Sequence, residues 1–215
     1  MIIVVGGIKG GTGKTTIATN LAVLRSAAGK KVLLVDADEQ KSTSSWANQR
    51  DFLDIATGWS TIQLGGKALR SQLERMKSDY DDIIVDVGGR ETTSLRAAIS
   101  IADICLIPFK PRSLDVWTLS DVKVLIAEMK PANPKLKAFS MVNQADPKGS
   151  DNEGTISILQ ECEEIKCIES TIGSRKAFAN AAGDGLAVSE MKVPDKKAVQ
   201  EMQELYDFIY KKCTS

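Results

Sequence analysis

"GGIKGGTGKTT" occupies Gly6–Thr16, directly behind the apolar run Ile2–Val5, and the rest of the chain is read outward from it. A buried strand, a glycine-rich turn and a helix opening on Lys14-Thr15 form a phosphate cradle. The backbone N–H groups of Gly10, Gly11, Thr12, Gly13, Lys14 and Thr15 can turn inward, and the helix N-terminus adds a positive dipole end. In that arrangement Lys14 neutralises the β- and γ-phosphates and the Thr15 hydroxyl ligates Mg2+, with Thr16 completing the nucleotide-binding run. The general spacing G-x-x-x-x-G-K-[ST] asks for glycine at position 8. This chain has Ile8 there, and a second lysine, Lys9, stands ahead of the glycine pair Gly10-Gly11.

Beyond this turn, apolar runs alternate with helical patterns, the signature of a parallel sheet wrapped by helices. Strands are expected at Ile2–Val5, Val32–Val35, Ile83–Val85, Ile104–Ile107 and Ala138–Val142, each short and continuously apolar, as strands buried on both faces should be. Ile17, Leu21 and Leu24 stripe a first helix that Gly29 closes. Further helices are expected at Ala68–Met76, Ser94–Ile101, Leu114–Met129, Thr155–Cys162 and Ala198–Tyr210, and a surface loop at Gln144–Gly154. The fold class is a doubly wound α/β sheet in one domain, residues 1–215.

The 215 residues carry 28 basic and 28 acidic side chains and no histidine. Zero formal charge exerts no global pull on nucleic acid or membrane, so such binding needs a local patch. Without histidine, chemistry must rest on carboxylates, lysines, hydroxyls, backbone amides or a bound cation. Cys105, Cys162, Cys167 and Cys213 lack zinc-site spacing, and Cys105 sits in an apolar run as a core residue. "MIIVVGG" has no basic leader and is too short for a signal peptide or membrane span, which predicts a cytoplasmic protein.

Two carboxylate segments complete the site. "VLLVDADEQ" (Val32–Gln40) puts Asp36 at a strand's carboxyl end with Asp38 two residues on. "DDIIVDVGG" (Asp81–Gly89) reads as a Walker B strand, with Asp86 holding Mg2+ through water alongside Asp36 and Thr15, and with Gly88-Gly89 free to move with a phosphate. All three segments end at the carboxyl edge of a parallel sheet, where open α/β folds bind ligands.

"KGGTGKTT" (Lys9–Thr16) resembles the deviant Walker A motif of the ParA/MinD family, and the resemblance extends over nearly the whole chain. It implies an ATPase in which two subunits sandwich two ATP molecules, Lys14 serving its own nucleotide and Lys9 reaching the neighbour's phosphates. It implies that Lys9, Lys14 and Asp38 are catalytic, Asp38 orienting the attacking water. Glu39 stands where the family's D-x-D-P-Q segment has proline. "LIPFKPRSLDVW" (Leu106–Trp117) resembles the segment near the nucleotide base, which makes Pro108 and Pro111 ATP-binding residues unless they only terminate a strand. Asn143 in "MVNQ" is the expected reader of adenine.

Within the family, the small size and the start almost at the phosphate loop resemble the short ParA (ParF-like) partition ATPases. Such proteins bind nucleoid DNA without sequence preference as ATP-bound homodimers, and a ParB-type adaptor stimulates hydrolysis. The DNA-binding candidates are Arg175, Lys176, Lys196, Lys197, Lys211 and Lys212, Arg175 first among them. A MinD-like membrane-associated regulator and a metabolic P-loop ligase or kinase are the alternatives. The last helix, with Val199, Met202, Tyr206 and Ile209 on one face but a charge-balanced polar face, reads as core-packing rather than membrane-binding.

Overall fold

In the computed structural model, which describes residues 1–90, 92–111, 118–147 and 151–213, the apolar runs assemble into one parallel sheet. Its strands are β1 (Ile2–Val5), β2 (Val32–Asp36), β3 (Trp59–Gln63), β4 (Asp82–Asp86), β5 (Ile104–Phe109), β6 (Lys137–Ala145), β7 (Lys166–Cys167) and β8 (Ile172–Gly173). They run in the order β3-β2-β4-β1-β5-β6-β7, with β8 also paired to β6. The helices are α1 (Lys14–Ala27), α2 (Ser42–Phe52), α3 (Ala68–Met76), α4 (Thr93–Ile99), α5 (Thr118–Met129), α6 (Asp151–Gln160), α7 (Lys176–Gly183) and α8 (Lys196–Asp207).

Successive side chains of a strand point to opposite faces, and the central strands serve two cores by that rule. Val4, Leu33, Val35, Ile83 and Val85 pack under α3, α4, α5 and α6. Ile3, Val5, Leu34, Ile84 and Leu106 pack under α1, α2, α7 and α8. Every residue of β1, β2, β4 and β5 is buried, which explains the continuous apolar runs that aspartates interrupt only at the ends of β2 and β4. Cys105 lies in this core, its thiol pushed up to about 12 by burial. Met202, Leu205, Tyr206 and Ile209 face the second core, so the apolar face of the last helix is covered by protein. Among the described residues no helix is long and apolar enough to cross a membrane.

The elements depart from the sequence reading where tertiary context decides. Gln144 and Ala145 extend β6, and α6 begins at Asp151, so the expected 144–154 loop is shorter than its composition suggests. Asp151 and Glu153 lie in the first helical turn, where carboxylates favour the dipole. Asn152 locks the approach by exchanging hydrogen bonds with the Asp146 backbone at 3.0 and 2.8 Å. The 114–129 helix is seen from Thr118, its first residues lying outside the described ones. Edge strand β3 and helices α2 and α7 were not expected: β3 is only half buried, and α2 is built from polar residues.

Pro108 does not terminate its strand; it pairs with Met141 inside β5. The Leu106 carbonyl accepts from Gly6 N at 3.0 Å, and two residues on Pro108 faces the same side, where β1 has already turned away. No ladder bond is therefore lost to its missing N–H.

Candidate functional site

β1 delivers the chain into the glycine turn, and Gly11 (φ 74°) and Gly13 (φ 85°) take left-handed backbone that side chains rarely adopt. Gly13 stands at the N-cap of α1 and no side chain caps that helix, so its first N–H groups remain directed at the cradle. Lys14 is 6% exposed and donates from Nζ to the Lys9 carbonyl at 2.7 Å. Burial lowers its pKa, against the raising influence of Asp86 and Asp38. Lys9 itself is exposed at the outer end of the turn.

β2 and β4 are neighbours with Asp36 opposite Asp86, so both carboxylates emerge together at the sheet's carboxyl edge. Asp86 Oδ2 accepts from Thr15 Oγ1 at 2.7 Å and from Thr43 Oγ1 at 2.7 Å. Its Oδ1 is buried and has no hydrogen-bond partner among the described residues. Desolvation raises the Asp86 pKa to about 6, the two hydroxyl donors opposing the shift. A buried carboxylate oxygen without a donor, beside a threonine hydroxyl, fits Mg2+, a hard cation that takes oxygen ligands and keeps several waters. Thr15 and Asp86 are the residues that would hold it.

Asp36, expected as a third metal residue, is engaged elsewhere. Its Oδ2 accepts from Ser44 N and Ser44 Oγ at 2.7 and 2.6 Å, and its Oδ1 accepts from Asp38 N at 3.2 Å. The carboxylate thus ties the start of α2 to the Asp38 turn. Asp38 is half-buried and accepts from Gln40 N at 3.0 Å. It lines a cavity of about 680 Å³ together with Gly11, Lys14, Thr15, Gly88 and Gln144. Glu39 is exposed on the same wall.

The glycine pair after β4 is required by proximity. A Cβ on Gly88 would lie 2.9 Å from Asp38 Oδ1, and one on Gly89 would lie 2.4 Å from Gly10 Cα. The segment carrying Asp86 therefore touches the phosphate loop backbone to backbone.

Asn143 is buried, and its Nδ2 donates to the Thr12 carbonyl at 2.6 Å, with Gly13 so close that a Cβ there would stand 2.2 Å from the same nitrogen. It is a clamp on the phosphate loop rather than the expected adenine reader. Gln144, which the sequence reading passed over, donates to the Gly11 carbonyl at 3.1 Å and lines the cavity. Pro108 and Pro111 are both buried, and neither lines the cavity. The adjoining 112–117 stretch lies outside the described residues. Thr43 and Ser44 were also missed; the hydroxyl run Ser42–Ser45 behind "DADEQK" was their only signal.

The basic candidates separate. Arg175 is committed to Glu201, Nη2 to Oε1 at 2.6 Å and Nε to Oε2 at 3.0 Å, which joins the β8 exit to α8. Its guanidinium is neutralised, so it does not lead the set as expected. Lys176 opens α7, and Lys196 and Lys197 open α8; all three are exposed. Lys211 and Lys212 follow the far end of α8, about 22 Å along the axis at 1.5 Å per residue. Lys211 pairs with Asp207 at 2.9 Å. The α8 lysines thus fall at opposite ends of that helix.

The profile of the CobQ/CobB/MinD/ParA nucleotide binding domain matches residues 3–188. Protein ParA of Rhizobium radiobacter is 28% identical over 99% of this chain and 97% of its own length. Maintenance of carboxysome distribution protein A of Halothiobacillus neapolitanus is 25% identical over 94% of this chain and 92% of its own. An ATP complex of a Cyanothece McdA variant shares the fold, with a TM-score of 0.81 at 18% identity over 97% of this chain and 95% of that one. An uncapped α1, the buried lysine that opens it and a match over most of the chain agree: the protein belongs to the CobQ/CobB/MinD/ParA nucleotide-binding family, that of the ParA/MinD-type positioning and partition ATPases.

Proposed function

We propose that the chain, acting as one domain over residues 1–215, is an ATPase that dimerises on ATP and positions a cargo by binding nucleoid DNA in the cytoplasm. A ParB-type adaptor protein would stimulate its hydrolysis. The observation that carries this reading is the division of labour between two lysines on one turn: Lys14 points into the cavity while Lys9 is exposed at its outer end. An exposed cation there is placed to serve phosphates presented by a second copy, which makes catalysis conditional on assembly.

In the working site the α1 amides and Lys14 hold the β- and γ-phosphates, and Asp38 accepts a hydrogen bond from the attacking water and orients it. Thr43 and Asn143 hold Asp86 and the phosphate loop in place. Thr15 and Asp86 would hold Mg2+, which would supply positive charge to neutralise the charge developing on the phosphates. Lys176, Lys196 and Lys197 are the remaining DNA candidates, doubled by the symmetry of a dimer.

Sedimentation with and without Mg-ATP tests the two-lysine account. Lys14→Ala should lose ATP binding, whereas Lys9→Ala should keep it and lose the ATP-dependent dimer. A Lys9→Ala protein that still dimerises normally overturns the trans role. Random duplex DNA should bind with Mg-ATP and not with ADP, the affinity falling by about 0.9 log units per phosphate contact per log unit of salt. Lys176→Glu with Lys197→Glu should abolish that binding while leaving the dimer intact.

A further inference from the structure

A second cavity, of about 770 Å³, lies at the amino ends of β6 and β7, the edge of the sheet opposite the phosphate loop. Its floor is apolar: Ile126 and Leu136 reach it from one core, Phe139 and Phe208 from the other, so it opens where the two cores meet. Here α8 passes into a π-helical segment, Phe208–Lys212, closed by Cys213 N donating to the Phe208 carbonyl at 3.1 Å. Such wide turns are rare and concentrate at functional sites. This one sets Phe208 edge-on against Phe139, with centroids 5.1 Å apart, and carries Lys212 to the rim.

The rim is cationic. Lys130 and Lys137 donate to the Leu136 and Cys213 carbonyls at 2.9 and 2.6 Å, which fixes their positions without neutralising them. Lys166 and Lys212 make no ion pair among the described residues. Of the two rim carboxylates, Glu164 is paired outward to Lys123 at 3.4 Å, leaving Glu163 against four lysines. The chain as a whole is neutral, so this excess is local.

We infer that this cavity binds an amphipathic anion, an aliphatic tail on the Phe139–Phe208 floor with a carboxylate or phosphate head among Lys166, Lys212 and Lys137. Its volume falls within the roughly 300–1,000 Å³ of small-molecule sites, which are apolar with a few convergent polar groups. A protein partner would need about 1,000 Å² of complementary surface, and the cavity favours the smaller occupant. From Lys137 to Asn143, β6 spans about 20 Å, so the site is separate from the nucleotide.

Calorimetric titration of dodecanoate, below its micellar concentration, into the full chain tests the inference, with dodecanol as the uncharged probe. Saturable 1:1 binding of dodecanoate is expected, with dodecanol about tenfold weaker because it forgoes the lysine rim. The Lys166→Glu/Lys212→Glu double variant should weaken dodecanoate by about tenfold or more and leave dodecanol unchanged. Ala127→Trp, a change at an exposed rim position, should fill the mouth and exclude both probes. ATP affinity, unchanged in both variants, certifies the fold. Equal affinity for the two probes, indifference to either variant, or no saturable binding overturns the proposal.

Discussion

Burial holds the Asp86 carboxyl at a pKa of about 6, and the sign of that shift sets the pH response of the ligand-free protein. An unfolded aspartate titrates near 3.9, so between about 4 and 6 the folded state keeps a proton that the unfolded state has released. Stability from this group is present below that window and lost as pH rises through it, by up to about 3 kcal/mol. Asp86→Asn should therefore raise the urea midpoint of the nucleotide-free protein at pH 8 and much less at pH 4; equal gains at both would place the burial cost elsewhere. Thr43→Val removes one of the two hydroxyl donors on Oδ2 without changing side-chain shape. It should weaken Mg-ATP binding about tenfold, matching a hydrogen bond to a charged group, and Thr43→Ser should restore it. Gly89→Ala drives a methyl into the Gly10 backbone. A loss of about 1–3 kcal/mol in chemical denaturation is expected from such overpacking. These contacts were not legible in sequence, because residues 43 and 86, or 10 and 89, meet only across the sheet.

At the scale of elements, α2 is the piece that tertiary structure supplied. Its residues are mostly polar, yet Arg50 is fully buried, with Nη1 and Nη2 bonded to Glu190 at 2.7 and 2.9 Å and Nη1 to the Gly185 carbonyl at 2.8 Å. Trp46 and Trp59, stacked at 5.8 Å, flank the guanidinium at 5.1 and 4.8 Å. Arg50 thus fastens the helix that carries Thr43 and Ser44 to the turn before α8. Removing one partner of a buried ion pair costs about 3–5 kcal/mol, and Glu190, a quarter exposed, puts Arg50→Ala at the low end. Urea unfolding should show a loss near that value, and Glu190→Gln a smaller one. A change below 1 kcal/mol in Arg50→Ala would mean that the tryptophan stack alone holds α2.

Across the whole molecule, the glycine turn behind β1 and the uninterrupted apolar runs determined the fold class without reference to contacts. Strands buried on both faces and a phosphate turn have only local requirements: continuous hydrophobicity, left-handed glycines, a lysine and a hydroxyl opening a helix. The glycine turn's requirements are written in consecutive residues, so Lys14 and Thr15 could be named from spacing, Asp86 from the strand before it and Asp38 from the family resemblance, and the fold brings all four together beside the glycine turn. What only the tertiary structure decided is which partner each polar group chose. Asn143 turned to the Thr12 carbonyl, Asp36 to Ser44 and Arg175 to Glu201, because a buried donor or acceptor takes whichever complement the packing brings within reach. That choice depends on strand order and helix docking, which join residues 131, 8 and 26 positions apart in these three cases and leave no trace in local spacing.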